Sequence, residues 1–368
     1  MSAADTSASY YRARLISGLI TALVIGILSG FLGELYGAIF YGEDDGTDYY
    51  QGFRTGFFIG IVAALIEIFY VRSVRRSWIR RVAFVPGLLV RILVMTLIVR
   101  VGLVGNEVLT AYLVSSEFQF ETSSGEQIRD TLFSIAFVVI FVVLSQLSSI
   151  IGFKRFMNLV LGRYFRPVSE DRVFLFVDMV GSTRLARELG DVRFHELLSE
   201  FFYQIDRAIV QTGGEVVSYV GDAVIVTWPL GSDSVRNGKC LRALQIMHAH
   251  IGRQRGMFER EFGVQPKFRA AMHGGPVVVG ECGDRRRQVT FLGDAVNMTA
   301  RIEAKTKELQ QDFLISDELL QRLRVPDGMI VEPEGDVELE GADANFVLHR
   351  VKIEEQKPRR KKIAQLVQ

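Results

Sequence analysis

Apolar residues are concentrated in the first part of the chain, where they form four long runs separated by short polar segments. The runs span about residues 15–41, 53–71, 82–103 and 132–153. Each run reaches or nearly reaches the ~20 apolar residues that an α-helix needs to cross a bilayer. The pattern predicts an all-α transmembrane domain of four helices over residues 1–153, with the buried helical bundle of a soluble protein as the alternative.

The charge of the connecting segments predicts the orientation of these helices. Segment 71–81, between the second and third runs, is strongly basic, and so is the stretch that follows the fourth run. The other two connections are acidic. Because basic loops stay on the cytoplasmic side, we expect a multi-pass protein of the inner (plasma) membrane with both termini in the cytoplasm. The first run is too long for the core of a cleaved signal peptide.

Charged residues also fall inside the predicted membrane helices. Arg91 lies in the third run, roughly 15 Å from its basic end at helical rise, and Glu67 lies in the second run. Intramembrane charges usually face a partner, so we expect these two side chains to pair. The pair is either a site for sensing or coupling, or a contact that stabilises the helix bundle.

In residues 171–352 the pattern changes, and short β-like runs alternate with amphipathic helical stretches. The order is roughly βαββαβ with additions, which predicts a ferredoxin-like α+β domain with a mostly antiparallel sheet. Gly274–Gly275 indicates a break in one of its strands. Residues 154–170 form a connector that we expect to transmit changes in helix packing, and residues 353–368 form a basic tail.

Composition narrows the expected partners. With 43 Lys and Arg against 42 Asp and Glu, the net charge of +1 gives no reason to expect a nucleic acid. Hydrophobic residues make up 49% of the chain, which agrees with a lipid environment for part of it. The two cysteines, Cys240 and Cys282, lack the spacing of a zinc site or a disulfide framework.

Candidate chemistry begins at Asp178, which ends the apolar run FLFVD directly before a glycine turn and a helix start. Asp222 follows Gly221 in the turn of a predicted hairpin. If the hairpin packs beside the first strand, the two carboxylates come together and repel each other unless a cation neutralises them. Mg²⁺ suits such a pair, because one or two carboxylates and substrate phosphates hold it. Taken alone, Asp178 is equally explained as a helix cap and Asp222 as a turn residue.

Two further segments bear groups that bind phosphate or ribose. The segment after the first aspartate offers backbone N–H groups at a helix start, where phosphate binds well. It comprises Val180, Gly181, Ser182 and Thr183. Asn297 and Arg301 lie four residues apart, and therefore on one face of a predicted helix. Their amide and guanidinium groups can hold a ribose oxygen and a phosphate, although a solvated helix face is the alternative.

In combination these segments resemble the class III nucleotidyl cyclases, which make cyclic AMP or cyclic GMP. The resemblance rests on FLFVDMVGST, SYVGDAVIVTW and QVTFLGDAVNMTARIE, with VELEGADANFVLHRV like the family's terminal hairpin. It implies a homodimer in which Asp178 and Asp222 of one copy bind two divalent cations, Mg²⁺ or Mn²⁺. Asn297 and Arg301 of the other copy then orient the ribose and stabilise the transferring phosphoryl group. The implied reaction converts ATP to 3′,5′-cyclic AMP and pyrophosphate.

Two positions leave the choice of base open. Family adenylate cyclases often carry a lysine four residues before the second metal aspartate, where this sequence has Ser218. They pair it with an aspartate or, in one subgroup, a threonine, which here is Thr290. A serine hydroxyl suits either purine, so we expect ATP, with GTP as the alternative. Glu340 stands where the family often has a basic phosphate contact, and the arginines at 285–287 are either its substitutes or a solvated turn.

Three other functions fit parts of the sequence. A non-catalytic cyclase-like signalling module would need none of the site residues, yet all of them are present. A diguanylate cyclase would carry a Gly-Gly-Asp/Glu-Glu-Phe turn, whereas TGGEVVSY continues differently. A transporter would need a substrate path, marked here by no residues beyond Glu34, Glu67 and Arg91. We therefore predict a membrane-anchored homodimeric adenylate cyclase, assembled through its catalytic domain and its membrane helices.

Overall fold

The chain divides into two compact units, Met1–Val160 and Leu161–Gln368, each with its own hydrophobic clusters. The computed structural model describes residues 3–40, 51–71, 84–114, 124–152, 157–158, 161–285, 287–339 and 346–354. Most of the polar connections between the four apolar runs, together with Arg286, Glu340 and the basic tail, lie outside the described residues.

Four helices cover the four apolar runs of the N-terminal unit. They are α1 (Ala3–Phe40), α2 (Gln51–Leu65, continued by a π-helix over Ile66–Val71), α3 (Phe84–Val114) and α4 (Ser124–Ile151). Helices α1, α3 and α4 extend beyond the predicted runs, because flanking residues such as Glu, Leu and Ala also form helix well. Within the described residues, one stretch, Gly18–Phe40, is long and apolar enough to cross a membrane, and Thr131–Leu147 is a shorter apolar helix.

Glycines allow α1 and α2 to pack closely. Gly33 and Gly52 face each other, and a Cβ on either would collide with the backbone of the other. Small residues at such contacts are typical of helices that associate in lipid. Glu34 of α1 accepts a hydrogen bond from the Phe53 N–H over 2.9 Å, so this charged group has a partner at the start of α2.

The charged pair predicted inside the helices is present. Glu67, on the π-helical segment, forms an ion pair with Arg91 of α3, and 9% and 12% of their side chains are exposed. Arg91 also donates to Ser145 Oγ and Gln146 Oε1 of α4, each over 3.1 Å. The Ser145 hydroxyl in turn donates to Glu67 Oε1 over 2.8 Å. The cluster joins three helices of the unit, and its role in sensing stays a hypothesis.

The C-terminal unit contains one eight-stranded sheet. Its strands are β1 (Val168–Met179), β2 (Glu215–Val220), β3 (Ala223–Pro229), β4 (Phe268–Cys282), β5 (Gln288–Leu292), β6 (Phe313–Ser316), β7 (Met329–Val337) and β8 (Phe346–Ile353). Its helices are α5 (Ser182–Leu189), α6 (Asp191–Thr212), α7 (Ser234–Asn237), α8 (Lys239–Arg253), α9 (Arg255–Phe262), α10 (Asp294–Glu308) and α11 (Asp317–Leu320). The order of elements agrees with the predicted α+β domain.

The strand order is β2-β3-β1-β4-β6-β8-β7, and β5 pairs with the end of β4. Within the described residues, β4 and β6 pair in parallel and the other strand pairs are antiparallel. The sheet is therefore mixed, where the sequence predicted mostly antiparallel pairing. The exception arises because β5 and α10 form a crossover between β4 and β6, which is the kind of connection that parallel strands require.

Strand β1 is covered on both faces. Leu175 and Val177 pack in the main core with α6 and α8, whereas Phe174 packs on the other face with Ala295 of α10. A strand buried on both faces has a continuous apolar sequence, which accounts for the run FLFV before Asp178.

Gly274–Gly275 lie inside the continuous strand β4, so the predicted break is wrong. They pair with Val173 and Arg172 of β1. A Cβ on Gly274 would lie 2.9 Å from Leu319 Cδ1. The glycine thus marks a close approach of α11 to the strand.

Candidate active site

Asp178 lies one residue before the end of β1, opposite Ala223 of β3 and Arg269 of β4. Its side chain is 13% exposed. Helix α5, which follows, has Gly181 as its N-cap residue and no side-chain cap. The helix-cap interpretation of Asp178 is therefore wrong, and its carboxylate is available for other contacts.

Asp222 lies beside Asp178. The hairpin turn consists of Gly221, which has a positive φ of 59°, and Asp222, and β3 begins at the next residue, Ala223. Since Ala223 is the β3 partner of Asp178, the two aspartates are close neighbours. Burial raises the pKa of Asp178, contact with Lys307 opposes this shift, and the charge of Asp222 adds to it. The structure thus brings together the two predicted metal ligands.

The turn after Asp178 is only partly available to a phosphate. The Val180 N–H donates to the Lys267 carbonyl over 2.9 Å, which commits that hydrogen and removes Val180 from the predicted set. Gly181 adopts a left-handed conformation with φ 73°, and Ser182 and Thr183 begin α5. The N–H groups of these three residues stay in the proposed phosphate contact.

Two cations beside Asp178 were not predicted from the sequence. Arg269 is its cross-strand neighbour on β4, and directly opposite residues project to the same face of a sheet. The Arg269 Nε is buried and has no hydrogen-bond partner among the described residues. Lys307, near the end of α10, lies with Nζ 3.0 Å from Asp178 Oδ2. Neither residue stands in a local motif, because both are distant from Asp178 in sequence.

Asn297 and Arg301 lie on α10, as predicted, and Asn297 lies far along this helix from the residue that contacts Asp178. Asn297 is exposed and Arg301 is half-buried, with Nη1 3.3 Å from Met298 Sδ. Lys307, which contacts Asp178, follows Asn297 by ten residues, or roughly 15 Å along a helix axis. Within one chain, the helix therefore separates Asn297 from the aspartate pair.

The two predicted base contacts are separated in the same way. Ser218 lies on β2, after a bulge between Val216 and Ser218, and Thr290 lies on β5. The path from β2 through β3, β1 and β4 to β5 takes four strand spacings, or roughly 19 Å. Thr290 Oγ1 donates to the Gly280 carbonyl over 3.2 Å and lies 3.1 Å from Cys282 Sγ.

The donor set suits a hard cation that shares its ligands with a substrate. Within the described residues, no group of three or more His, Cys, Asp and Glu side chains is arranged to hold a metal ion. Asp178 and Asp222 supply two carboxylates, and Mg²⁺ typically takes one or two carboxylates with substrate phosphates.

The described arginines of the 285–287 segment are exposed, as expected for a solvated turn. Arg287 contacts Glu281 over 3.9 Å and is largely exposed, and Arg285 is exposed as well.

Comparison with known proteins finds a matching family and similar chains. The family described as "Adenylate and Guanylate cyclase catalytic domain" matches residues 167–352. "Adenylate cyclase 2" of Rhizobium meliloti (strain 1021) is 38% identical over 203 residues, which are 55% of each chain. "Adenylate cyclase" of Anabaena cylindrica is 27% identical over 186 residues, 48% of this chain and 36% of that one. The chain thus spans about half the length, or less, of these relatives.

A solved structure gives the same fold. The structure of a bacterial light-regulated adenylyl cyclase superposes with a TM-score of 0.51 at 18% identity. The match covers 64% of this chain and 68% of that chain. At this level of identity the likeness concerns the fold alone.

Proposed function

We propose that this chain, which belongs to the adenylate and guanylate cyclase catalytic domain family through residues 167–352, is an adenylate cyclase that converts ATP to 3′,5′-cyclic AMP and pyrophosphate. One observation carries the proposal: the aspartate pair lies by the C-terminal end of α10, whereas Asn297 lies near its N-terminal end. A single copy keeps these groups apart, and a second copy can supply the missing half.

The proposed enzyme is a homodimer with composite sites. Asp178 and Asp222 come from one copy, and Asn297 and Arg301 come from the other. A two-fold interface is self-complementary, so it forms two equivalent sites. The separation of Ser218 from Thr290 supports the same arrangement, because these residues can approach one base only from different copies.

Asp178 and Asp222 are the proposed ligands of two divalent cations, Mg²⁺ or Mn²⁺. When bound, such cations activate the ribose 3′-hydroxyl and neutralise charge on the phosphates. The chain holds one carboxylate on a strand buried on both faces and the other in a two-residue turn. The strand register fixes how the two positions lie relative to each other, which suits a site that must hold its ligands in a fixed geometry.

Donors around the aspartates are proposed to bind the triphosphate. The Arg269 Nε is buried and has no hydrogen-bond partner among the described residues. A phosphate oxygen could accept a charge-assisted hydrogen bond from it, which is stronger than a bond between neutral groups. Backbone N–H groups at the start of α5 add further donors. From the second copy, Asn297 orients the ribose and Arg301 stabilises the transferring phosphoryl group, as the family resemblance implies.

The contacts of Thr290 favour adenine. Its Oγ1 lies within hydrogen-bond distance of the Gly280 carbonyl oxygen and of Cys282 Sγ, and donation of its one proton to either leaves lone pairs as acceptors. Adenine presents an amino donor at N6, whereas guanine presents the acceptor O6. Two acceptors cannot pair, so the hydroxyl matches ATP better than GTP. Ser218 can serve as donor or acceptor in either case.

We further propose that residues 1–153 form a four-helix, multi-pass anchor in the inner (plasma) membrane, with both termini and the catalytic domain in the cytoplasm. The span Gly18–Phe40 and the glycine contacts between α1 and α2 support this anchor. Residues 154–170 connect it to the catalytic domain at 171–352, and residues 353–368 form a tail. The membrane helices also contribute to the dimer.

An assay of the purified full-length protein tests the proposed activity. ATP and GTP are supplied in parallel, each with Mg²⁺ or Mn²⁺, and both cyclic nucleotides are measured. We expect cyclic AMP as the main product. A preference for cyclic GMP would instead support the guanylate cyclase alternative, and no product with either nucleotide would support a non-catalytic signalling module.

A further inference from the structure

Lys307 is shared between two carboxylates at the end of α10. Its Nζ lies 3.0 Å from Asp178 Oδ2 and 3.0 Å from Glu303 Oε1. The Lys307 side chain is 50% exposed, whereas those of Asp178 and Glu303 are 13% and 17% exposed. The ammonium group is therefore the solvent-facing member of a largely buried cluster.

A divalent cation on Asp178 would meet this ammonium group at the same carboxylate. Two positive charges a few ångströms apart repel each other, so binding of one disfavours the other. Glu303 lies four residues before Lys307 on the same helix and is already its partner. The Lys307 ammonium group can therefore stay paired with Glu303 when a divalent cation binds Asp178.

We propose that Lys307 is a built-in competitor of the divalent cation, which must displace its ammonium group from Asp178 to bind. The inference rests on the proposed function, in which Asp178 is a metal ligand. Lys307 thereby sets the concentration of divalent cation at which the site fills, and Glu303 retains the displaced side chain.

The test measures Mn²⁺ binding to the full-length protein without nucleotide, by the electron paramagnetic resonance signal of free Mn²⁺. We expect Lys307→Met to bind Mn²⁺ roughly two- to fivefold more tightly than the wild type, the range expected for loss of one partly exposed ion pair. Lys307→Arg keeps the charge and should bind like the wild type. Lys305→Met is the matched control, because Lys305 pairs with Glu308 instead.

Unchanged or weaker Mn²⁺ binding by Lys307→Met would overturn the inference, and so would equal tightening by Lys305→Met. Asp178→Asn separates this failure from that of the proposed function. If Asp178→Asn abolishes Mn²⁺ binding while Lys307→Met behaves like the wild type, the metal site stands and the competition does not. Absence of Mn²⁺ binding by both the wild type and Lys307→Met would also overturn the inference, whereas the proposed function would fail only if the cyclase assay gave no cyclic nucleotide.

Discussion

Asp178 lies opposite Ala223 in the β1–β3 ladder, which places its carboxylate next to that of Asp222 in the hairpin turn. The arrangement brings two negative charges together at a largely buried position, and burial raises the pKa of Asp178. Such a pair is unfavourable without a compensating cation. Lys307, whose Nζ lies 3.0 Å from Asp178 Oδ2, supplies one such positive charge, and in our proposal a divalent cation takes its place.

Asp178→Asn should abolish cyclase activity. The amide keeps the shape of the side chain but removes the charge that holds a divalent cation, so we expect a loss of about 100-fold or more in kcat/KM. Asp171→Asn is the matched control, because Asp171 lies on the same strand and pairs with Arg322 at an exposed position. Near-normal turnover by Asp178→Asn would contradict the metal assignment.

Thr290→Val should weaken the use of ATP without creating a preference for GTP. Valine keeps the shape but loses the acceptor proposed for the adenine amino group, and we expect roughly a tenfold fall in kcat/KM for ATP. Thr290→Ser retains the hydroxyl and serves as the control. A normal ATP rate in Thr290→Val would show that Thr290 does not contact the base.

Arg91→Leu should destabilise the N-terminal unit. The change leaves Glu67 buried without its ion-pair partner, and such a loss typically costs about 3 kcal/mol. The double variant Arg91→Leu/Glu67→Leu should recover much of the stability, as measured by thermal unfolding in detergent. Equal unfolding temperatures for all three proteins would contradict this. Unchanged assembly and activity in Arg91→Leu would leave the sensing hypothesis without support.

The stability of the C-terminal unit should fall on acidification through His273. Burial lowers the pKa of His273 below 6.5, and Glu318 and Asp294 oppose the shift. Because the unfolded chain then binds the proton more readily, the contribution of neutral His273 to the free energy of unfolding is fully present above pH 6.5. This contribution decreases as the pH falls below that value. His273→Gln should reduce this dependence in unfolding measurements, whereas the same change at exposed His195 should not. Identical pH profiles for wild type and His273→Gln would contradict the assignment.

Local sequence patterns predicted the elements of the site. The apolar run before Asp178 and the Gly-Asp turn at Asp222 each follow from periodicity over a few residues. The mixed sheet could not be predicted in the same way, because the parallel β4–β6 pairing depends on where the chain returns after α10. The strand break predicted at Gly274–Gly275 was wrong for a similar reason, because the close packing against Leu319 is a contact between residues distant in sequence.

The positively charged side chains of the site could not be predicted from local sequence either. Arg269 and Lys307 reach Asp178 only through strand register and helix packing. Neither has a spacing or a neighbouring motif that marks it in the sequence. Val180 is the opposite case: its position after Asp178 suggested a phosphate contact, but the Lys267 carbonyl, on a different segment, takes its hydrogen bond.

The central claim, a composite site between two copies, is tested most directly by coexpressing two inactive variants. Asp178→Asn lacks one half of each site and Arg301→Ala lacks the other, so each alone should be inactive. In a random mixture, half of the dimers carry one variant of each kind and have one intact site of two, so we expect about a quarter of wild-type activity to return. No recovery from the coexpressed pair, with both variants folded and dimeric, would contradict the composite site.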